Sequence, residues 1–335
     1  MRVSVLIPVY NKAPFVKEAV ESVLNGTFRD IEVVCVDDKS TDNSLEVLRS
    51  IADPRVRIIE LQENLGPAGA ANAGLDTCRG EYIVRLDADD IAVPDRLEKQ
   101  VSFMDARPDI GASGGRLDLF GATSTAWTFP LEPDDCAAQL LFGVPVSQGA
   151  SIMRRSVLEE HGLRYDPAWP RFGEDWLFWA RMARVARFAN IPETVALYRR
   201  GEQNIGHGRD RIADYTYLAR TILTFFGIPH DEEDIAAHLM GLFLFKERPS
   251  RAGVRKLRDW HARLLAWNGD HGAFPREAFS RRVERSWNGL YFYLPRYGSA
   301  PALEHLRLSR SWPTDRLAYL AKYRVNVLLG RVANG

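Results

Sequence analysis

Apolar residues recur along the first half of the chain in two alternating rhythms. Val3-Ser-Val-Leu-Ile-Pro-Val9 is a nearly unbroken apolar run of strand length. Phe15, Ala19, Val20 and Val23 then share one face of a helix expected from about Pro14 to Leu24. Ile31 to Val36 predicts a second strand, and Ser40-Thr-Asp-Asn-Ser44 supplies caps for a helix carrying Leu45 and Leu48. A third strand is expected at Val56 to Leu61, a helix from Ala68 to Cys78 closed by Gly80, and a fourth strand at Tyr82 to Leu86. A further helix runs from Pro94 to Ala106. This alternation predicts an α/β fold with a Rossmann-like, mainly parallel sheet flanked by helices, and ligands at the carboxyl ends of the strands.

Beyond residue 106 the rhythm loosens. Residues 110 to 150 are Gly- and Thr-rich, with strand-like stretches at Leu117 to Phe120 and Val144 to Val146. Helices take over from Asp231. Val254, Leu257, His261, Leu264 and Leu265 recur near helical spacing within Ser250 to Trp267, and Leu317, Ala321, Val325, Leu328 and Val332 form a stripe within Thr314 to Val332. A soft boundary near residue 215 is expected to separate residues 1–215, themselves divided at about 105, from a helical C-terminal extension over 216–335.

The 335 residues are 46% hydrophobic and 26% charged, an ordinary balance for a globular protein with a sizeable core. Zero net charge argues against a general nucleic-acid binder. The sum hides a polarity, because Arg251 to Gly335 holds 16 Lys+Arg against 6 Asp+Glu, and the preceding residues carry the opposite excess. A basic tail of this kind suggests contact with an anionic surface, such as a membrane. Cys35, Cys78 and Cys136 show no metal-ligand spacing, and Cys35 lies in a strand-like run where a buried free thiol is expected, as suits a reducing cytoplasm. The first apolar run is too short for a signal peptide, and no stretch has the length of a membrane span.

Candidate chemistry gathers where the predicted strands end: Pro8 to Asn11, Asp37 to Lys39, and Asp87 to Asp90. In Leu86-Asp-Ala-Asp-Asp90, three carboxylates within four positions repel one another unless solvent or a cation is near. Acids spaced i, i+2 leave a strand on one side and suit Mg²⁺ or Mn²⁺ bridged to phosphates. The plainer reading is a turn with N-capping aspartates. The first strand leads to neither a G-x-G-x-x-G loop nor a P-loop lysine, so a bound nucleoside diphosphate would need a metal for charge compensation.

Taken in order, Val3-Ser-Val-Leu-Ile-Pro-Val-Tyr-Asn11, Val36-Asp-Asp-Lys-Ser-Thr-Asp42, Glu63-Asn-Leu-Gly66 with Ala71-Asn-Ala-Gly74, Gly80-Glu-Tyr82, Leu86-Asp-Ala-Asp-Asp90 and Pro94-Asp-Arg-Leu97 resemble family 2 glycosyltransferases. Ser151 to Leu158, Gly173-Glu-Asp-Trp176 and Leu197-Tyr-Arg199 continue the resemblance over roughly the first 205 residues. It implies the GT-A fold, a nucleotide-sugar donor, a UDP-sugar by prior, bound by residues 1–105, and acceptor contacts from 106–215. It also implies a Mg²⁺ or Mn²⁺ ion and hexosyl transfer with inversion onto a saccharide or lipid-linked acceptor, in surface polysaccharide or glycolipid synthesis. Carried onto this chain, Pro8 and Tyr10 border the nucleoside, Asp38 accepts from the base, and Asn64 and Asn72 flank the donor. Asp89 is the principal metal ligand, with Asp87 beside it and nearer the ribose or sugar. Asp175 is the general base, with Glu174 as fallback. The plainer reading of both is helix N-terminal capping. Asp90 reads as a cap, and Trp169, Phe172 and Trp176 as either an acceptor wall or core.

The chain departs from relatives at Ala71, where Arg is frequent, and at Gly201, where many have His; His207, nearby, reads as a solvated loop residue. The expected location is cytoplasmic, with the basic tail offering peripheral attachment at the inner face of the plasma membrane. A nucleotidyltransferase or phosphohydrolase, and a catalytically silent nucleotide-sugar binder, are the rival readings.

Overall fold

The computed structural model describes residues 1–169, 172–202, 204, 208–310 and 313–329. Two compact units divide between Gly208 and Arg209. Residue 215 therefore lies inside a helix of the second unit.

In the first unit the strands are β1 (Val3–Val9), β2 (Ile31–Asp37), β3 (Val56–Glu60), β4 (Tyr82–Arg85), β5 (Ile91–Ala92), β6 (Ile110–Gly121), β7 (Ala126–Trp127), β8 (Ile152–Arg154) and β9 (Arg187–Arg200). Helices α1 (Val16–Leu24), α2 (Ser44–Arg49), α3 (Gly66–Leu75), α4 (Arg96–Ala106), α5 (Pro133–Gln139), α6 (Arg155–Glu160) and α7 (Glu174–Met182) connect them. The sheet order is β3-β2-β1-β4-β8-β6-β9-β5, with β7 paired to β6. Strands β1 to β4 pair in parallel, β8 runs antiparallel to both β4 and β6, and β6 pairs in parallel with β9.

The parallel half follows from its sequence. Strands β1 and β2 are buried on both faces, which is why their apolar runs are nearly continuous. One face of β1 packs in a core with Val16, Ala19, Val20 and Val23 of α1. On the other, a Cβ at Gly74 would lie 2.1 Å from Leu6 Cδ1, so only a small-residue helix can approach this closely. Ala71 is fully buried in that helix, which leaves no room for the arginine common in relatives.

Three expectations are corrected. Gly80 does not close α3, which ends at Leu75. Its Cβ would lie 2.4 Å from the Ser4 backbone nitrogen, and its N–H donates to Ser4 Oγ (2.8 Å), so it serves close packing on β1. Residues 144–146 are irregular rather than a strand. Strand β6 begins well before Leu117, because Gly111, Gly114 and Gly115 are positions where Ala186, Asn190 and Val195 approach within 2.8 Å of any added Cβ. All three cysteines are free and buried, and burial pushes the Cys35 thiol up to about 12.

The second unit comprises α8 (Arg211–Phe226), α9 (Glu232–Gly241), α10 (Arg251–His271), α11 (Arg276–Leu290), α12 (Ser299–Ser309) and α13 (Thr314–Leu328). Val254, Leu257, His261 and Leu264 of α10 are buried as their spacing predicts, whereas Leu265 is exposed. The expected α13 stripe is not the packing face: Leu317 and Val325 are exposed, Leu320 is buried, and Tyr319 donates to the Phe292 carbonyl (3.0 Å). Val332 lies outside the described residues.

Candidate active site

The sheet delivers its polar residues to one rim. Strand β1 ends at Pro8 and Val9, leaving Tyr10 42% exposed. Asn11 has a left-handed backbone (φ 53°), and its Oδ1 accepts from the N–H groups of Thr41 (2.8 Å) and Asp42 (3.3 Å). The loops after β1 and β2 are thus locked together. At the end of β2, Asp37 Oδ2 accepts from Ser40 N three residues on (3.2 Å), which closes the loop on itself. Asp38 is buried, and its Oδ1 accepts from Leu65 N (2.7 Å) while Asn64 Nδ2 donates to its carbonyl (2.9 Å). Asp38 and Asn64 therefore tie the β2 end to the entry of α3, not to α2.

Beyond β4 the chain turns through Asp87 to Asp90. The Asp87 side chain is 42% exposed and lies 3.6 Å from Arg85 Nη2, whereas that of Asp89 is only 8% exposed and its Oδ2 accepts from Lys12 Nζ at 2.6 Å. Asp90 is not a helix cap. Its Oδ1 accepts from Arg199 N (2.8 Å), and its buried Oδ2 has no hydrogen-bond partner among the described residues. Burial, then repulsion from Asp87, pushes the Asp90 carboxyl up to about 9.

Two buried guanidinium groups lie beneath these acids. Arg96 donates from Nη2 to the Arg85 carbonyl (2.7 Å) and from Nε to Gln100 (3.0 Å), and burial lowers it to about 10. Arg85 is buried, with Nε and Nη1 lacking hydrogen-bond partners among the described residues. Buried donors left unpaired are costly, so such atoms mark a place built to meet water or a ligand. Sequence reasoning gave neither a role: Arg85 merely ends a strand, and Arg96 entered only as part of the motif Pro94-Asp-Arg-Leu97.

Helix α7 begins at the acids the sequence singled out, directly after Gly173 in a left-handed conformation. Glu174 and Asp175 lie within electrostatic reach of Asp87, although nearly ninety positions separate them in the chain. Removal from water, then repulsion by Glu174 and Asp87, raises the Asp175 carboxyl to about 8. Tyr165, buried and stacked on Phe178 (4.2 Å), has no hydrogen-bond partner for its hydroxyl among the described residues, and lies within electrostatic reach of these acids and Arg85.

Asn72 anchors this wall. Its Nδ2 donates to the Tyr165 carbonyl (2.9 Å) and its Oδ1 accepts from Tyr165 N (2.8 Å), so the amide acts on the site through Tyr165. Trp176 is core: it is buried, and its indole N–H donates to the Leu140 carbonyl (2.6 Å). Trp169 is buried as well, and its indole donates to the Phe172 carbonyl (3.0 Å). His207 lies outside the described residues.

Two further contributors had only faint sequence signals. Arg199 clasps the acidic turn: its Nε donates to the Asp89 carbonyl (2.9 Å), and its guanidinium lies over Phe15 and Phe120 (4.9 and 4.5 Å). The Tyr-Arg pair had marked the position but not this role. Gly149 lets the backbone pass close to the acids, since a Cβ there would lie 2.9 Å from Asp87 Oδ2.

The donor set consists of hard carboxylate oxygens at Asp87 and Asp89, with an orphaned oxygen on Asp90, and fits Mg²⁺ or Mn²⁺. Among the described residues no three acids, histidines or cysteines form a complete metal cage, so a cation held here would draw remaining ligands from water or phosphate.

Residues 4–162 match the model of glycosyl transferase family 2. The succinoglycan biosynthesis protein ExoO of Rhizobium meliloti is 35% identical over 216 residues, 61% of this chain and 62% of its own length. The chain spans less than two thirds of the length of the curated relatives it matches. Among solved structures, TarS of S. aureus in complex with UDP-GlcNAc superposes with a TM-score of 0.59 at 17% identity, covering 86% of this chain and 92% of that one. The mannosyltransferase PcManGT of Pyrobaculum calidifontis, in complex with GDP-Man and Mn²⁺, gives 0.55 at 21% identity, covering 99% and 88%. These neighbours share the fold, a mixed α/β sheet flanked by helices with a helical C-terminal region. Through the order of its motifs, the family-model match and the fold shared with these neighbours, residues 4–162 are identified as a glycosyl transferase family 2 region.

Proposed function

We propose that the protein is an inverting glycosyltransferase that moves a sugar from a uridine diphosphate donor to a saccharide or lipid-linked saccharide acceptor in surface polysaccharide or glycolipid synthesis. The observation that carries this reading is the meeting of two acid groups at one rim of the sheet: Asp87 and Asp89 after β4, and Glu174 and Asp175 opening α7. Inversion needs these two groups on opposite sides of the anomeric carbon. Asp175 takes the proton of the acceptor hydroxyl, whose oxygen attacks the anomeric carbon while the bond to the diphosphate oxygen breaks behind it. Its raised proton affinity suits that task. Glu174 keeps the affinity high by repulsion. Pro8, Tyr10 and Asp38 border the nucleoside, and Asn64 and Asn72 fix the segments beside it. Asp89 and Asp87 would hold the Mg²⁺ or Mn²⁺ ion, which supplies charge compensation for the departing nucleoside diphosphate. The donor complexes of TarS and PcManGT and the name of ExoO support this class of donor and product.

A donor-hydrolysis screen over nucleotide sugars with Mn²⁺, Mg²⁺ or EDTA tests the reading. Nucleoside diphosphate released only with a divalent ion is the expected product. Release of pyrophosphate would indicate a nucleotidyltransferase, and unchanged behaviour of Asp175→Asn a silent binder.

The basic second unit is proposed to rest on an anionic cytoplasmic leaflet. No described helix is long and apolar enough to cross a membrane. Arg255 and Lys256 already pair with Glu304 (2.7 Å) and Glu233 (2.9 Å), so other cations would make the contact. Sedimentation with anionic vesicles at low salt, and none with neutral ones, is the expected result.

A further inference from the structure

The acid proposed as the principal metal ligand already holds a cation of the protein's own. Lys12 Nζ lies 2.6 Å from Asp89 Oδ2, with the two side chains only 19% and 8% exposed. This contact is placed by the backbone. Lys12 N donates to Ser44 Oγ (2.7 Å), Asn11 is fixed in its left-handed turn by the loop after β2, and the Lys12 carbonyl accepts from Phe15 N and Val16 N (both 2.9 Å) at the start of α1. The lysine thus springs from a rigid corner and reaches across to the turn after β4. Arg199 holds that turn from the other side through the Asp89 carbonyl. Neither partner is a free surface chain that meets the other by chance.

We infer that Lys12 is a built-in competitor for the divalent ion: its ammonium occupies Asp89 in the metal-free protein and leaves that oxygen when the ion binds. This inference rests on the metal-site reading above. A divalent ion binds a carboxylate oxygen at about 2.1 Å, and an ammonium still bonded to the same oxygen would stand within about 4 Å of it. Two positive charges at that separation repel strongly in a partly buried site. The lysine must therefore swing aside, and the nearest anionic partner a loaded site offers is the diphosphate of the donor. Its effect on the empty protein is to keep Asp89 paired until donor and ion arrive together, which weakens the binding of the ion alone. A lysine with a merely structural role predicts the opposite: its loss would disorder Asp89 and weaken the ion's hold.

The test titrates the whole 335-residue chain with Mn²⁺ alone, with no nucleotide present, and reads the loss of the free aqueous Mn²⁺ signal by electron paramagnetic resonance. Lys12→Gln and Lys12→Met are both expected to bind Mn²⁺ about fivefold or more tighter than the parent, the scale set by removing one partly buried ion pair. Lys12→Arg should stay near the parent value. Asp89→Asn should abolish the signal loss, which assigns it to this site. Equal or weaker Mn²⁺ binding by both Lys12→Gln and Lys12→Met, with parent binding intact, overturns the inference and leaves the metal site standing. Absence of Mn²⁺ binding in parent and variants alike, at millimolar ion, would overturn the metal-site reading, and the inference with it.

Discussion

Replacing Asp175 by asparagine separates a catalytic base from a helix cap, because the two roles predict opposite changes in stability. The Asp175 carboxyl is raised to about 8 by removal from water and by the charges of Glu174 and Asp87. An unfolded aspartate titrates near 4. Between about pH 4 and pH 8 the folded protein thus keeps a proton that the unfolded chain has lost, and stability falls as pH rises through that window. At about 1.4 kcal/mol per pH unit the full difference would be roughly 5 kcal/mol. Asp175 is partly open to solvent and shares its proton with its acidic neighbours, so about half, roughly 2–3 kcal/mol, is the expectation. Asparagine never ionises. Asp175→Asn should therefore melt about 5–10 °C above the parent at pH 8.5, for a unit of this size, and the gap should close toward pH 4. A carboxylate whose main work is to cap α7 predicts instead a loss of about 0.5–1 kcal/mol at pH 8.5. Thermal melts of metal-free protein at pH 4.5, 6.5 and 8.5 decide the matter, alongside turnover, which should fall about 10²–10⁴-fold with donor binding retained. An Asn variant less stable than the parent at pH 8.5 refutes the account of Asp175 as a strained base.

Gly149→Ala should leave the melting temperature within about 1 °C, since a carboxylate can yield to the new methyl group, yet raise the donor KM several-fold, roughly tenfold at most, because the group that yields is Asp87. Asn72→Leu strands the backbone N–H and carbonyl of Tyr165; urea unfolding should show a loss of about 2–4 kcal/mol, and kcat should drop with it. Although burial opposes it, hydrogen bonds from Ser4, Arg57 and Arg79 hold the Glu32 carboxyl below its ordinary range. Its contribution is therefore present above about pH 4.5 and is lost as pH falls through the lower folded value. Glu32→Gln should cost about 2 kcal/mol at pH 7 and progressively less as pH falls below the ordinary carboxylate range, by chemical unfolding across that range.

What was legible in the sequence follows from how each part is buried. Strands covered on both faces must be continuous apolar runs, so β1, β2 and β4 were visible directly, and their ends placed Tyr10, Asp38 and the Asp87 turn on one rim. The acids of α7 were found through their motif, but only folding shows that they face Asp87. Strand β6 was seen in part because its glycines, which count against a strand, are required where β9 crosses closely. The burial of Arg85 and Arg96 was not legible, since composition alone makes such residues solvent-seeking, and the motif holding Arg96 did not show that it lies buried near Asp87 and Asp90. The α13 stripe shows the converse failure: a helical period was present, yet aromatic contacts of Tyr319 choose the packed face.

The clasp made by Arg199 has a practical corollary for anyone wishing to trim the chain. The family match alone delimits residues 4–162, and a fragment cut there would keep the loops after β1 and β2 and all of the aspartate turn. It would shed α7 with the acid proposed as base, and it would shed the last strand, whose arginine fastens that turn through the Asp89 carbonyl and the Asp90 carboxylate. The smallest piece worth expressing therefore runs past Arg200, because the front of the domain borrows its rigidity from the back.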